Sequence, residues 1–121
     1  MDIGIDLGTS NVLVYVKGRG VVINQPSVVA YEKSSKRIIA IGNKAKKMIG
    51  KTPESIEVVR PLVKGVVSDY IVTERMLKAF IRSAMEKRTG VGRPKICVCV
   101  PSGVTEVERR AVIWVDSKLF Q

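Results

Sequence analysis

Apolar and polar residues alternate from the second residue onward. Ile3, Ile5 and Leu7 are set against Gly4 and Asp6 over residues 2–7, the two-residue period of a strand with one buried face. Four turn-forming residues, Gly8-Thr9-Ser10-Asn11, separate this run from Val12-Leu13-Val14-Tyr15-Val16, a β-branched run of strand length. Two strands joined by so short a connection predict a hairpin. A second turn over residues 17–20 leads into Val21-Val22-Ile23, so the chain opens as a three-stranded meander. Pro26 interrupts that sheet, because proline has no N–H to give to a ladder. Beyond it, residues 28–31 and 37–41 predict another hairpin around the polar turn 32–36, in a small subdomain.

The period then changes. Asn43 is placed to cap a short helix with Ala45, Met48 and Ile49 on one side and lysines on the other, closed by Gly50. From Asp69 or Thr73 to about Arg88, the residues Met76, Leu77, Phe80, Ile81, Ala84 and Met85 trace one stripe of an amphipathic helix, which Gly90 and Gly92 stop. Residues 96–100 form a continuous apolar run of the kind covered on both faces. A second helix is predicted after Pro101-Ser102-Gly103, announced by Thr105 with Glu108 three residues on, the pattern of a capping box. Strands, helix, buried strand, helix is an α/β order with a parallel pairing across the first helix.

Composition adds three constraints. With 121 residues, 45% hydrophobic and 26% charged, the chain has the make-up of one folding domain and is too short for a two-lobed enzyme. Cys97 and Cys99 alternate within one apolar strand, where a disulfide between them is sterically poor; they read as small buried hydrophobes in a reducing compartment. With no apolar run of about 18 residues and no leader behind Met1, a cytoplasmic protein is expected. The net charge of +10 attracts polyanions, and Lys44, Lys46, Lys47 and Lys51 form its tightest cluster. An aromatic content of 5% and the lack of any nucleic-acid-binding signature argue against a nucleic-acid partner. An anionic membrane surface is one remaining partner for that charge, and an acidic remainder of a longer protein is another.

Chemistry concentrates in Asp6-Leu7-Gly8-Thr9-Ser10-Asn11. A carboxylate at a strand end can hold a hydrated Mg²⁺, since a hard cation prefers carboxylate oxygen and keeps most of its waters. Gly8 allows close backbone approach to a phosphate, and the N–H groups and hydroxyls of Thr9 and Ser10 can donate to its oxygens. Equally, any hairpin favours Gly, Ser and Asn in its turn, and Asp6 can be a plain strand-end residue. Neither a Walker loop nor a Rossmann fingerprint occurs in the chain.

The hexapeptide at residues 6–11 resembles the first phosphate loop of the actin, heat-shock chaperone and sugar kinase superfamily. Four further segments narrow the likeness: Asn24-Gln25-Pro26-Ser27-Val28-Val29-Ala30; Ile41-Gly42 with residues 45–53; Arg60-Pro61-Leu62-Val63-Lys64-Gly65 running on to Tyr70; and residues 98–113. All of them are similar to MreB and its paralogues, over residues 2 to about 113. This resemblance implies the N-terminal portion of an actin-like ATPase domain of the ribonuclease H-like α/β class, a mixed sheet with flanking helices plus a small subdomain. Residues 1–31 and 66–113 would form part of the larger subdomain and 32–65 the small one, with 114–121 a divergent tail. It also implies ATP and Mg²⁺ as cofactors, with Gly8, Thr9, Ser10 and Asn11 around the phosphates and Asp6 at the metal through water. Partners implied are further copies of the chain in a filament, the inner membrane surface and the cell-wall elongation machinery, in a protein that gives rod shape. The family's catalytic carboxylate in a Glu-Glu-Pro segment and its second phosphate loop do not occur among these residues, so no ATP hydrolysis is expected from this chain alone. Members of this family reach the membrane through an amphipathic N-terminal leader or a short apolar loop; with no leader read here and only Val91 apolar in the loop 89–92, a single copy is expected to bind weakly.

Overall fold

The computed structural model describes residues 2–64, 66–85, 95–101 and 110–115. Along the chain run β1 (Asp2–Leu7), β2 (Asn11–Val16), β3 (Gly20–Pro26), β4 (Val29–Glu32) and β5 (Ile38–Ile41). There follow α1 (Asn43–Lys47), β6 (Ile56–Val59), β7 (Leu62–Val63), β8 (Val66–Val67), α2 (Tyr70–Met85), β9 (Lys95–Pro101) and β10 (Arg110–Val115). The main sheet has the order β10-β9-β1-β2-β3, and a three-stranded sheet has the order β5-β4-β6. Strands β7 and β8 form a separate two-stranded hairpin.

The opening meander forms as its alternation predicts. Strands β1 and β2 pair antiparallel from Ile3 opposite Val16 to Leu7 opposite Val12, and β3 follows with a bulge between Val14 and Tyr15. Strand β9 lies parallel to β1, with Ile96 beside Ile3 and Cys99 beside Asp6, which is the parallel pairing expected across the helix. Ile3, Ile5, Leu7, Val12, Val14, Val16, Ile96 and Val98 are buried, in one cluster with Val72, Met76, Phe80, Ile81 and Ala84 of α2. Val29 and Tyr31 of β4 join that cluster, while Ala30 packs on the other side with Val28 and Ala45 of α1. The three-stranded sheet is thus a wall shared by the main core and a smaller one. Tyr31 ties its strands by donating its hydroxyl to Glu57 over 2.8 Å; burial first, then that carboxylate, pushes the phenol up to about 12. Both cysteines are free thiols, and burial raises the pKa of Cys99, with Cys97 adding to the effect.

Several expectations need correction. Where a helix is expected after residue 105, Arg110–Val115 is a strand antiparallel to β9. Ala111-Val112-Ile113-Trp114-Val115 is rich in β-branched and aromatic residues, and β9 otherwise presents an open edge whose N–H and C=O groups need partners. The capping pair Thr105 and Glu108, the stop at Gly90 and Gly92 and the loop 89–92 lie outside the described residues. Asn43 does not cap α1 with its side chain. The cap residue is Gly42, at φ 62°, and the amide of Asn43 donates to Gln25 Oε1 over 3.2 Å. A Cβ at Gly42 would collide with the Gln25 side chain, so only glycine lets β3 and α1 approach this closely. Ile49 is exposed, because α1 ends at Lys47 before its turn would bury it. Strands β6 to β8 were not expected at all. Among the described residues no helix is long and apolar enough to cross a membrane.

Asp69 rather than Thr73 starts α2. Its carboxylate accepts from the Val72 amide at 3.1 Å and from Lys36 Nζ at 3.1 Å, which joins the β4–β5 turn to the helix. Arg75 reinforces that joint by donating to the carbonyls of Ser35 and Lys36, each at 2.9 Å. The Val72 amide, then Lys36, hold the Asp69 carboxyl below the usual carboxylate range. A lowered folded-state value means that the stabilisation is present at neutral pH and fades as pH falls through that value. Asp69→Asn, which keeps a capping oxygen, should therefore flatten the loss of stability on acidification below about pH 4. Urea unfolding across a pH series checks this, and an unchanged acid slope would count against the assignment.

Candidate functional site: a pinned turn above a basic cleft

The turn between β1 and β2 is held from beneath. The Gly8 amide donates to the Asn11 carbonyl at 3.0 Å, closing the reversal. Ser27, fully buried after β3, donates its hydroxyl to the Gly8 carbonyl at 2.7 Å and its amide to the Ser10 carbonyl at 2.9 Å. Asn11 Nδ2 reaches Asn24 Oδ1 at 3.3 Å, fastening the far side of the turn to β3. Three carbonyls of the turn are thereby satisfied. Among the described residues no acceptor takes the amide or hydroxyl hydrogens of Thr9 and Ser10. A backbone held in this way, with its donors left over, is suited to an anion.

Thr9, Ser10 and Asn11 line one side of a cleft of about 420 Å³, with Pro26 beside them. Opposite stand Lys46 from α1, Arg60 after β6, and Leu62, Val63 and Lys64 from the β7–β8 hairpin. Each cation has a distinct structural origin. Lys46 is positioned by the Gln25 tether on α1. Arg60 precedes the buried Leu62, and Lys64 sits in the hairpin turn with a positive φ of 50°. No Asp or Glu is among the lining residues, so the charged side chains that line the cleft are all cations.

Of the residues expected to form the site, Thr9, Ser10 and Asn11 line the cleft and Gly8 supplies backbone beneath it. Asp6 is not a lining residue. It stands at the end of β1 beside Cys99, with one carboxylate oxygen, Oδ1, shielded from solvent. Among the described residues no cluster of three or more His, Cys, Asp or Glu side chains could cage a metal. Asp6, a single carboxylate at the strand end, has the chemistry to hold a hydrated ion through water. Sequence reasoning did not single out Ser27 as the support of the turn, and it placed Lys46 on the lysine face of α1 without linking it to the turn. The available signal was that the Gln25-to-Ala30 and Arg60-to-Gly65 segments shared the family pattern with the hexapeptide, although Gln25, Ser27 and residues 60–65 have no evident strand or helix role.

A five-stranded mixed sheet whose opening hairpin turn is pinned above such a cleft defines the N-terminal portion of an actin-like domain. The chain belongs to the MreB/Mbl family: the family profile described as MreB/Mbl protein matches residues 1–119. It is 49% identical over 111 residues to the cell shape-determining protein Mbl of Bacillus subtilis (strain 168), covering 92% of this chain and 33% of that protein. It is 48% identical over 115 residues to the cell shape-determining protein MreB of Escherichia coli (strain K12), with the same coverage. Among solved structures it is similar to MreB5 of Spiroplasma citri bound to ADP, at 45% identity and a TM-score of 0.65, over 88% of this chain and 31% of that one. The same protein bound to AMPPNP gives 38% identity and a TM-score of 0.64. The chain spans about a third of the length of the relatives it matches.

Ser27→Ala leaves the Gly8 carbonyl without its buried donor and should destabilise the fold by about 1–3 kcal/mol. Amide hydrogen exchange should quicken at residues 8–11 more than in α2. Uniform quickening along the chain would mean that Ser27 supports the core and not the turn.

Proposed function

We propose that this chain is the phosphate-gripping N-terminal portion of an actin-like, ATP-binding cytoskeletal protein that forms filaments beneath the inner membrane and directs cell shape. The observation that carries this reading is the pinned turn itself, with the donors of Thr9 and Ser10 unspent above a cleft lined by cations and no carboxylate. The ADP and AMPPNP held by the Spiroplasma citri neighbours support it, as do the names of the cell shape-determining relatives.

In this reading Thr9, Ser10 and Asn11 bind and orient the phosphate chain, and Gly8 lets the backbone come close. Asp6 would hold Mg²⁺ through water, and that ion would supply neutralisation of phosphate charge. Hydrolysis needs groups beyond these residues, so the isolated chain should show no ATPase activity above background. Association with the inner membrane draws on the basic surface and on many copies acting together in a filament, since single contacts of this kind are weak.

The test uses a protein in which this chain is joined to the remaining two-thirds of the relatives' length. Asp6→Ala combined with Thr9→Ala should weaken ATP binding by about tenfold or more and abolish ATP-dependent polymerisation. Equal binding and polymerisation would reduce the turn to an ordinary chain reversal. A second reading, a basic module for anionic membrane, is favoured by the net charge of +10 alone. Its binding should fall steeply with added salt, whereas nucleotide binding held by backbone donors should fall less.

A further inference from the structure

We infer that Lys46, Arg60 and Lys64 form a wall that measures the length of the bound polyphosphate and favours a triphosphate over a diphosphate. This rests on the reading of residues 8–11 as a phosphate grip. The three cations come from α1, from the segment after β6 and from the β7–β8 turn, and they converge on one cleft with Thr9 and Ser10. Among the described residues none of them makes an ion pair. Like charges gathered without an acid repel one another, and an anion between them relieves that repulsion.

The convergence is built. Gly42 and Gln25 fix α1 against β3, and buried Leu62 anchors the hairpin that carries Lys64. Lys64, one of the residues lining the cleft, holds a left-handed backbone conformation that L side chains rarely adopt. A second basic groove, lined by Arg37, Arg75, Lys78 and Arg82, provides a contrast. There Arg75 is engaged by two backbone carbonyls, Arg37 by Glu32 and Lys78 by Glu74. Its charge is largely neutralised or committed, whereas the wall above the turn is not.

The two sides of the cleft do different work. Amides and hydroxyls are neutral, so their bonds to phosphate vary less with its total charge than a cation's attraction does, and the turn contributes affinity with little discrimination. The attraction of a cation scales with ligand charge, and a triphosphate carries about one more negative charge than a diphosphate. Preference for the longer chain therefore comes from the wall.

Isothermal titration of the 121-residue chain with MgATP and MgADP, and with inorganic triphosphate and pyrophosphate, separates the two contributions. The unaltered chain should bind each triphosphate about tenfold more tightly than the matching diphosphate at low salt. In Lys46→Gln/Arg60→Gln/Lys64→Gln that ratio should fall to about one. The single variants, all at exposed positions, should each lower it in part and serve if the triple variant does not fold. In Thr9→Val/Ser10→Ala both affinities should drop by a similar factor with the ratio kept. A ratio that survives loss of the three cations overturns the wall. Affinities unchanged in Thr9→Val/Ser10→Ala overturn the phosphate grip instead, and absence of binding by inorganic triphosphate overturns both.

Discussion

The hydroxyl of Ser27, buried and aimed at the Gly8 carbonyl, sets the shape of the turn that the candidate site is built on. Ser27 lies at the point where the chain leaves the main sheet for the smaller one, one residue beyond Pro26 and two before β4. The same residue that ends the meander thus fixes the shape of its first turn. Because the carbonyls of Gly8, Ser10 and Asn11 are bonded, what remains at the turn is a set of donors. Peptide dipoles held so need little reorganisation to receive an anion, and this is where a rigid fold contributes more than a flexible loop.

The small sheet does more than fill space. Strand β4 shows one face to the core beneath α2 and the other to α1, so its position sets where Lys46 stands relative to the turn. The joint from Lys36 to Asp69 and from Arg75 to the β4–β5 turn holds this sheet against α2. The chain's excess of positive charge is therefore unevenly spent. Lys36, Arg37 and Lys78 are paired with acids, and Arg75 serves as a structural clasp. The cations facing the turn have no such role within the described fold, and an account of the net charge as mere surface solvation leaves them unexplained.

Much of the fold was legible where pattern and packing agree. The alternation from Ile3 to Val16 gave the hairpin because one sheet face is buried along its whole length, and the stripe from Met76 to Ala84 gave α2 for the same reason. Strand β9 was legible as a continuous apolar run, and its parallel partner followed from the helix before it. Strand β6 was hidden: Ile56-Glu57-Val58-Val59 is short, carries a charge and lies between two prolines, and it forms through pairing with β4. At Arg110–Val115, where a helix is expected, β-branched residues and an available edge give a strand instead. At the site, the turn residues stood out by type, but their support did not. The contacts of Ser27 to Gly8 and Ser10 span 19 and 17 positions, and no local pattern encodes contacts at that range. The assembly of Lys46, Arg60 and Lys64 is likewise a product of tertiary folding.

Everything about the site follows if the turn at residues 8–11 receives phosphate. The most direct test of that is a map of amide chemical shifts in the isotope-labelled chain as MgATP is added. The largest changes should fall at Gly8, Thr9, Ser10 and Ser27, followed by the β7–β8 turn. Changes centred instead on Arg37, Arg75, Lys78 and Arg82, with residues 8–11 unmoved, would contradict it.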